Sequence, residues 1–477
     1  MSSFVPTVLA STVRRLIVCA RPLYGEVAGA NSGERGAMGS AQGLRAGAAG
    51  PVVPFFTQAA TFEALWPAIR GHLNDVADRG KYSHGGKVAE FEEALAGWTG
   101  ARYVVGMNSG TDALVLLLRA CGLRPGDEVV VPAFSFIASA SAVVLAGGRP
   151  VFADIDPVSY ALDPQAIADV LTPRTRFVLP VHLFCQLADL SGVLAVAGRH
   201  GLTVIEDSAE AIGMRWNGRH AGLHGAGGAL SFFPTKTLGA IGDAGAVLTD
   251  DAEIADTVAA LRHHGRFGHT LDNFPGISSP TTIAGLNSKM DDIQAAVLLA
   301  KLGRLDADIA RRAELAAAYH ERLRSVPGIL RLPTLADRPA VTVPVYYVYV
   351  VEVERRDELA EFLATRGIGT ETYYPVPLHR QPCFAGPASS AGPISPAGSA
   401  SPAGSASSAG SASSAGSVSS AGQAFPAGPA SAGSECPNAD AAARRTIALP
   451  LYPDLPLSGV DRVCDAIADF YRGGGPG

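Results

Sequence analysis

The sequence predicts an α/β protein built on a mostly parallel sheet. Between Arg102 and Val247, short apolar runs alternate with stretches whose apolar residues recur at helical spacing, the pattern of strands joined by helical crossovers. Glycine and other small residues follow several of these runs, and in open parallel sheets ligands gather at such strand ends. A third observation singles out one stretch, Val204 to Val247, in which an acidic pair and a lysine end two successive runs.

Taken in order, the text becomes structured near Pro54. Phe62 to Asp78 and Val88 to Trp98 read as helices, with Phe91, Leu95 and Trp98 at helical spacing, and Gly80-Lys81-Tyr82-Ser83-His84-Gly85-Gly86 is a turn between them. Arg102 to Met107 is a strand that feeds Asn108-Ser109-Gly110-Thr111-Asp112 into a helix. Such a strand, small-residue turn and helix N-terminus make an anion site, although Ser-Gly-Thr read alone is equally an ordinary helix cap. Glu128 to Pro132, Arg149 to Ile155 and Arg176 to Val181 are further strands, with helices starting near Pro164 and spanning Leu190 to His200. One long helix is expected from Asp292 to about Leu323, then strands over Val343 to Val353 and Gly369 to Tyr373, and helices over Asp357 to Arg366 and Val460 to Tyr471.

Composition bounds the function. The chain has 477 residues, enough for two or three packed units. A net charge of −6 and an isoelectric point near 6.0 offer no basic surface, so no nucleic-acid partner is expected. Cys19, Cys121, Cys185, Cys383, Cys436 and Cys464 lack metal or redox spacing and suit a reduced, cytoplasmic protein. The pair His263-His264 is rejected as a metal site, because adjacent residues rarely face one ion together. No apolar stretch reaches the length of a membrane span, and Arg14, Arg15 and Arg21 flank an apolar piece without the order of a signal peptide. Residues 1–52 are expected to be a disordered extension. The Ala/Gly/Ser/Pro-rich residues 385–435 are expected to be a flexible insertion that cannot offset its ordering entropy.

Within Val204 to Val247, the run Leu202 to Ile205 delivers Glu206-Asp207, and Gly228 to Phe233 delivers Lys236 into glycine-rich backbone. Of the five lysines (Lys81, Lys87, Lys236, Lys289 and Lys301) only Lys236 follows an apolar strand; Lys301 is read as one of the solvated charges of its helix. A carboxylate and a lysine at neighbouring strand ends are what pyridoxal 5'-phosphate chemistry requires. The amine holds the cofactor aldehyde and the carboxylate keeps the pyridine nitrogen protonated. A lysine in an exposed loop is the plainer alternative.

Glu206-Asp207-Ser208-Ala209-Glu210 and Ser231-Phe232-Phe233-Pro234-Thr235-Lys236 resemble two motifs of the DegT/DnrJ/EryC1/StrS aminotransferases. The resemblance continues through His264-Gly265-Arg266, Leu286-Asn287-Ser288-Lys289-Met290-Asp291, Tyr374-Pro375-Val376-Pro377-Leu378-His379 and Leu449-Pro450-Leu451-Tyr452-Pro453, in the family's order. It implies a fold-type I pyridoxal-phosphate enzyme with a seven-stranded sheet in a large domain over 53–305. A small α/β C-terminal domain would follow over 306–384 and 436–477.

It also implies roles. Lys236 and Asp207 would be catalytic. Gly110, Thr111 and Ser231 would hold the cofactor phosphate, Phe136 would stack on the ring, and Glu210 would lie near its phenolic oxygen. Asn287 would reach the phosphate of a neighbouring subunit, making the unit a homodimer with shared sites; Asp291 alone is also explained as a helix cap. Lys81, Tyr82 and His379 would contact substrate. Tyr373 stands where relatives carry histidine, and Cys185 where they carry glycine, which leaves the substrate contacts and the backbone at Cys185 open. The implied reaction moves an amino group from glutamate or glutamine to a keto sugar, plausibly nucleotide-linked. An aminocyclitol or aromatic-amine synthase on the same scaffold, or a non-catalytic cofactor-binding protein, are the alternatives. Relatives that dehydrate carry histidine in place of the lysine, so Lys236 speaks against that chemistry.

Overall fold

The computed structural model describes residues 52–83, 85–267, 281–336, 344–384 and 435–473. Nearly all of the expected extension and insertion, and His84 of the glycine turn, lie outside the described residues.

Strands β1 (Tyr103–Met107), β2 (Glu128–Pro132), β3 (Arg149–Ala153), β4 (Thr175–Val178) and β5 (Thr203–Asp207) are followed by a small hairpin, β6 (Arg215–Trp216) and β7 (Arg219–His220). Strands β8 (Gly227–Ser231) and β9 (Gly245–Thr249) come next. Seven of them form one sheet in the order β1-β9-β8-β5-β4-β2-β3, in which only β9 runs antiparallel to its neighbours. This is the expected mostly parallel seven-stranded sheet. Helices cover it, and β2 and β9 are buried along their whole length, so these strands read as continuous apolar runs. A second, antiparallel sheet joins β10 (Ile329–Arg331), β11 (Tyr349–Val353) and β12 (Thr446–Leu449). Its core includes Leu315, Tyr319, Val351, Ile447, Val463 and Ile467.

Four expectations are corrected. The long helix is two, Asp292–Leu302 and Leu305–Leu323, parted at Gly303-Arg304. The first packs against helices Ala59–Arg79 and Gly86–Thr99, the second against Leu457–Arg472, so the break lets each follow its own core. Of the strand expected over Val343 to Val353, Val343 lies outside the described residues, and among the rest the strand begins only at Tyr349. Before it, the Tyr347 amide bonds the Phe184 carbonyl (2.9 Å), and Arg312 takes the carbonyls of Tyr347 (2.9 Å) and Leu451 (2.8 Å). These groups are paired outside a ladder. Gly369 to Tyr373 yields a single bridge, Glu371 to Ala448, because the Gly369 amide is drawn to the Val53 carbonyl (2.9 Å). Asp291 sits at an N-cap without a side-chain bond; Asp292 instead accepts from the amides of Gly85 (2.6 Å) and Lys87 (2.9 Å), capping the helix Gly86–Thr99.

Two further lysines are buried, Lys301 against its reading as a solvated charge. Lys87 lies inside that helix and is buried, with Nζ 2.8 Å from Asp75 and 2.6 Å from Glu90. Lys301 is not solvated: it is 7% exposed. Burial pushes its amine down to about 8.

The hairpin carries a pH-dependent element. His220 is fully buried; its Nε2 accepts from the Gly213 amide (2.9 Å), so the proton sits on Nδ1 and is donated to the Ala221 carbonyl. Burial lowers its pKa from 6.5 to about 4. The unfolded chain therefore binds this proton first as pH falls. Its contribution is intact above 6.5 and is lost down to about 4, on the order of 3 kcal/mol. The urea midpoint of the wild type is expected to fall across this window, and His220→Gln to fall less steeply; equal slopes would refute this role.

Candidate active site

All the predicted cofactor residues except Asn287 arise from one edge of the large sheet. Strand β5 ends at Asp207, the parallel β8 ends at Ser231, and β1 leads into Ser109 at the same edge. Because side chains alternate along a strand, Glu206 and Asp207 face opposite ways. Glu206 is structural. It accepts from His182 Nε2 (3.0 Å) and from the amides of Gly222 (2.8 Å), His224 (2.6 Å) and Gly225 (2.9 Å). His182 Nδ1 accepts from the Ala188 amide (3.0 Å), which fixes its proton on Nε2 and leaves both ring nitrogens satisfied. Burial pushes Glu206 up, but His182 and the Gly222 amide outweigh it and hold the carboxyl below its ordinary range.

Asp207 is 4% exposed. Its Oδ2 accepts from Ser139 Oγ (2.7 Å), Ser139 is 2.8 Å from Ser135 Oγ, and Oδ1 accepts from the Ala209 amide (3.2 Å). Burial raises its pKa, and Ser139, the Ala209 amide and Lys236 only partly counter that. A cationic partner would therefore be strongly favoured beside it.

Lys236 follows β8 on a tight turn, its amide donating to the Phe233 carbonyl (2.8 Å). Its Nζ is 3.3 Å from Glu210 Oε1 and 4.2 Å from the centroid of the Tyr347 ring. Burial pulls the ammonium down, but the Tyr347 phenol, Glu210 and Asp207 together leave its pKa raised. Glu210 also accepts from the Phe184 amide (3.0 Å) and Tyr374 Oη (3.2 Å). Tyr347 Oη lies 3.1 Å from Thr235 Oγ1 and 3.3 Å from Tyr373 Oη. Phe184 (φ 63°) and Tyr374 (φ 55°) both adopt the left-handed region, a cost that bulky residues bear where surrounding structure enforces it. The unusual backbone is thus at Phe184 rather than at its neighbour Cys185, which is buried.

The third component is a cradle. Helix Gly110–Ala120 is capped by Ser109 Oγ, which accepts from the Asp112 amide (3.1 Å), and its first amides have no intrahelical partner. A Cβ on Gly110 would lie 2.8 Å from Ser231 Cβ, and one on Gly245 2.5 Å from the Ser109 carbonyl carbon. Only glycine allows helix end, β8 and β9 to meet so closely. Free amides, the helix dipole and the hydroxyls of Ser231 and Thr111 suit a phosphate. Cradle, buried carboxylate and amine together form a donor set that fits pyridoxal phosphate.

Other predicted residues lie around this centre. Phe136, 58% exposed, sits at the start of helix Ile137–Leu145 with its ring 6.5 Å from that of Tyr374. Lys81, Tyr82 and Asn287 are exposed. The Tyr82 carbonyl accepts from the Asp292 amide (3.0 Å), and Asn287 Oδ1 accepts from Lys289 Nζ. Asn287 precedes Ser288, whose Oγ donates to Asn108 Oδ1 (2.8 Å) beside the cradle. His379 is fixed near the end of β2, since the Leu378 amide donates to the Ala133 carbonyl (2.7 Å). Its Nε2 is 3.6 Å from Asp440, and its Nδ1 is buried without a hydrogen-bond partner among the described residues. Sequence reasoning missed Ser139, Tyr347 and Tyr374. Ser139 had a local signal, lying four residues after Ser135 on a helix that starts at the strand end, and Tyr374 opens the Tyr374-to-His379 motif; Tyr347 had none.

A family model described as the DegT/DnrJ/EryC1/StrS aminotransferase family matches residues 67–399. Among curated relatives, the chain is 34% identical over 425 residues to a "pleiotropic regulatory protein" of Geobacillus stearothermophilus, covering 88% of this chain and 99% of that one. It is 37% identical over 423 residues to the dTDP-3-amino-3,4,6-trideoxy-alpha-D-glucose transaminase of Streptomyces venezuelae, covering 88% and 96%. Among solved structures, DesV of S. venezuelae in complex with a ketimine intermediate matches with a TM-score of 0.73 at 36% identity, covering 88% and 99%. NtdA of Bacillus subtilis with bound PMP matches with a TM-score of 0.71 at 30% identity, covering 90% and 86%.

Proposed function

The chain belongs to the DegT/DnrJ/EryC1/StrS aminotransferase family, and from that premise we propose that it uses pyridoxal 5'-phosphate to aminate a nucleotide-linked keto sugar, with glutamate or glutamine as donor. The chain is an aminotransferase. The observation that carries the finer reading is the juxtaposition of Lys236 with Glu210 (3.3 Å) beside the buried Asp207.

The phosphate would rest on the amides of Gly110 and Thr111 and the Ser231 hydroxyl, and Asp207 would face the ring nitrogen. When bound, the cofactor supplies an aldehyde that takes up the amino group and a ring that withdraws electrons from the bond being broken. Lys236 Nζ takes the proton from the α-carbon of the donor and later returns one to the acceptor carbon. Asp207, aligned by Ser139, supplies the fixed negative charge that this chemistry requires. Phe136 offers an exposed aromatic face for the ring, and Glu210 orients Lys236. Lys81, Tyr82 and His379 would contact the sugar; the orphaned Nδ1 of His379 supports that role. Asn287, exposed beside the cradle, would serve the site of a second subunit in a homodimer. Among the described residues no helix is long and apolar enough to cross a membrane, in keeping with the cytoplasmic setting we assign.

The test is an absorbance titration of the purified full chain loaded with pyridoxal phosphate. Glutamate or glutamine is expected to bleach the visible cofactor band, and a keto-sugar nucleotide to restore it. A protein that binds no cofactor would end this reading. A cofactor band that neither amino acid moves would end the assignment of the donor.

A further inference from the structure

Lys301 poses a problem that its family membership does not resolve. Its ammonium is buried, yet no carboxylate contacts it among the described residues; it donates to two neutral oxygens, Gly239 O (2.5 Å) and Gln58 Oε1 (2.6 Å). Burying a cation without an ion-pair partner is costly, so its retention at this place calls for a local purpose. Both acceptors belong to the surroundings of Lys236. Gly239 ends the turn that carries Lys236, and Gln58 donates from Nε2 to the Pro234 carbonyl (3.1 Å) at the beginning of the same turn. Within itself the turn is held by bonds from the Lys236 amide to Phe233 O and from the Ala240 amide to Phe232 O (each 2.8 Å), and Thr235 Oγ1 adds its contact with Tyr347 Oη (3.1 Å). It has no side chain at Gly239 with which to pack, since a Cβ there would lie 2.4 Å from the Pro234 carbonyl oxygen. About two turns earlier on the helix of Lys301, Gln294 Oε1 accepts from the Ile241 amide (3.1 Å), so that helix grips the segment twice.

We propose that Lys301, acting with Gln58, is a positioning residue for Lys236: it clamps the Pro234–Gly239 turn to helix Asp292–Leu302 and thereby fixes the height of the lysine above the strand ends. The catalytic consequence rests on the reading of Lys236 given above, but the clamp itself does not. Charge makes it effective, because an ammonium gives stronger bonds to carbonyl oxygens than a neutral donor. The same helix, through the amide and carboxylate of Asp292, holds Tyr82 and Gly85 of the preceding turn, so one rigid element sets both loops.

Hydrogen exchange on the full chain, read by mass spectrometry, separates these statements. In Lys301→Met the peptide spanning 233–241 is expected to exchange roughly tenfold faster, the equivalent of one lost charge-assisted bond, while the β2 peptide 128–132 stays unchanged. Gln58→Leu, at a half-buried position, should show the same local loss to a smaller degree, and provides the test if Lys301→Met does not fold. With the loaded enzyme, kcat should fall about tenfold with the donor KM little changed, as when transition-state geometry rather than ground-state binding is lost. Unchanged exchange at 233–241 in the foldable variants overturns the clamp. Faster exchange in a protein that binds no cofactor upholds the clamp and overturns the reading of Lys236 instead. Exchange that rises equally in 128–132 makes Lys301 a general stabiliser and overturns the local role.

Discussion

Lys236→Ala is expected to lower turnover by about 10⁴-fold, the upper range for removal of a positioned proton-transfer group. Nothing nearby replaces it. Among the described lysines, Lys81 and Lys289 belong to other segments, Lys87 is tied to Asp75 and Glu90, and Lys301 to Gln58 and Gly239. Because the cradle of Gly110 and Ser231 is built independently of the lysine, the variant should still bind the cofactor, now only through non-covalent contacts. Borohydride treatment followed by peptide mass spectrometry should fix the cofactor to Lys236 in the wild type and leave the variant chain unmodified. A variant that retains near-normal turnover would remove Lys236 from the mechanism.

Asp207→Asn is expected to lower kcat by roughly 10²- to 10³-fold, the scale of losing one preorganised electrostatic partner. The amide is nearly isosteric and can still accept from Ser139, so the fold should persist. What changes is charge at a buried position where a cation would be held in place. The KM of the donor should change less than kcat, because the interaction lost is made chiefly as charge develops. Thermal unfolding run alongside guards against misfolding. Equal kinetics in a folded variant would show that Asp207 does not serve the ring nitrogen.

These two residues illustrate what the chain announces directly. Apolar runs ending in Glu206-Asp207 and Lys236, a small-residue turn before the helix at Gly110, and the alternation of strand and helix are local patterns. They were enough to expect the parallel sheet and its ligand-bearing edge. Alternation along β5 turns the two members of the acidic pair to opposite faces. The resemblance pointed to Asp207; why Glu206 is instead structural required His182 and the amides of Gly222, His224 and Gly225, which meet it only in the fold.

The misreadings share a physical origin. Lys301 looked solvated because its helix carries charges, but the face on which it lies packs against Gln58, 243 positions away, and Gly239, 62 positions away. The expected strand is not formed between Pro344 and Val348, where Arg312 and Phe184 take the backbone groups of Tyr347. That same diversion brings Tyr347 beneath Lys236, so the departure from the sequence pattern helps to make the site. By itself, then, the sequence determined the sheet and the edge to which Asp207 and Lys236 are delivered, since these follow from local periodicity and residue chemistry. Only the tertiary structure decided how the lysine is gripped, how Asp207 is aligned by Ser139 and which aromatics surround the amine. Those relations join residues whose spacing in the chain carries no period.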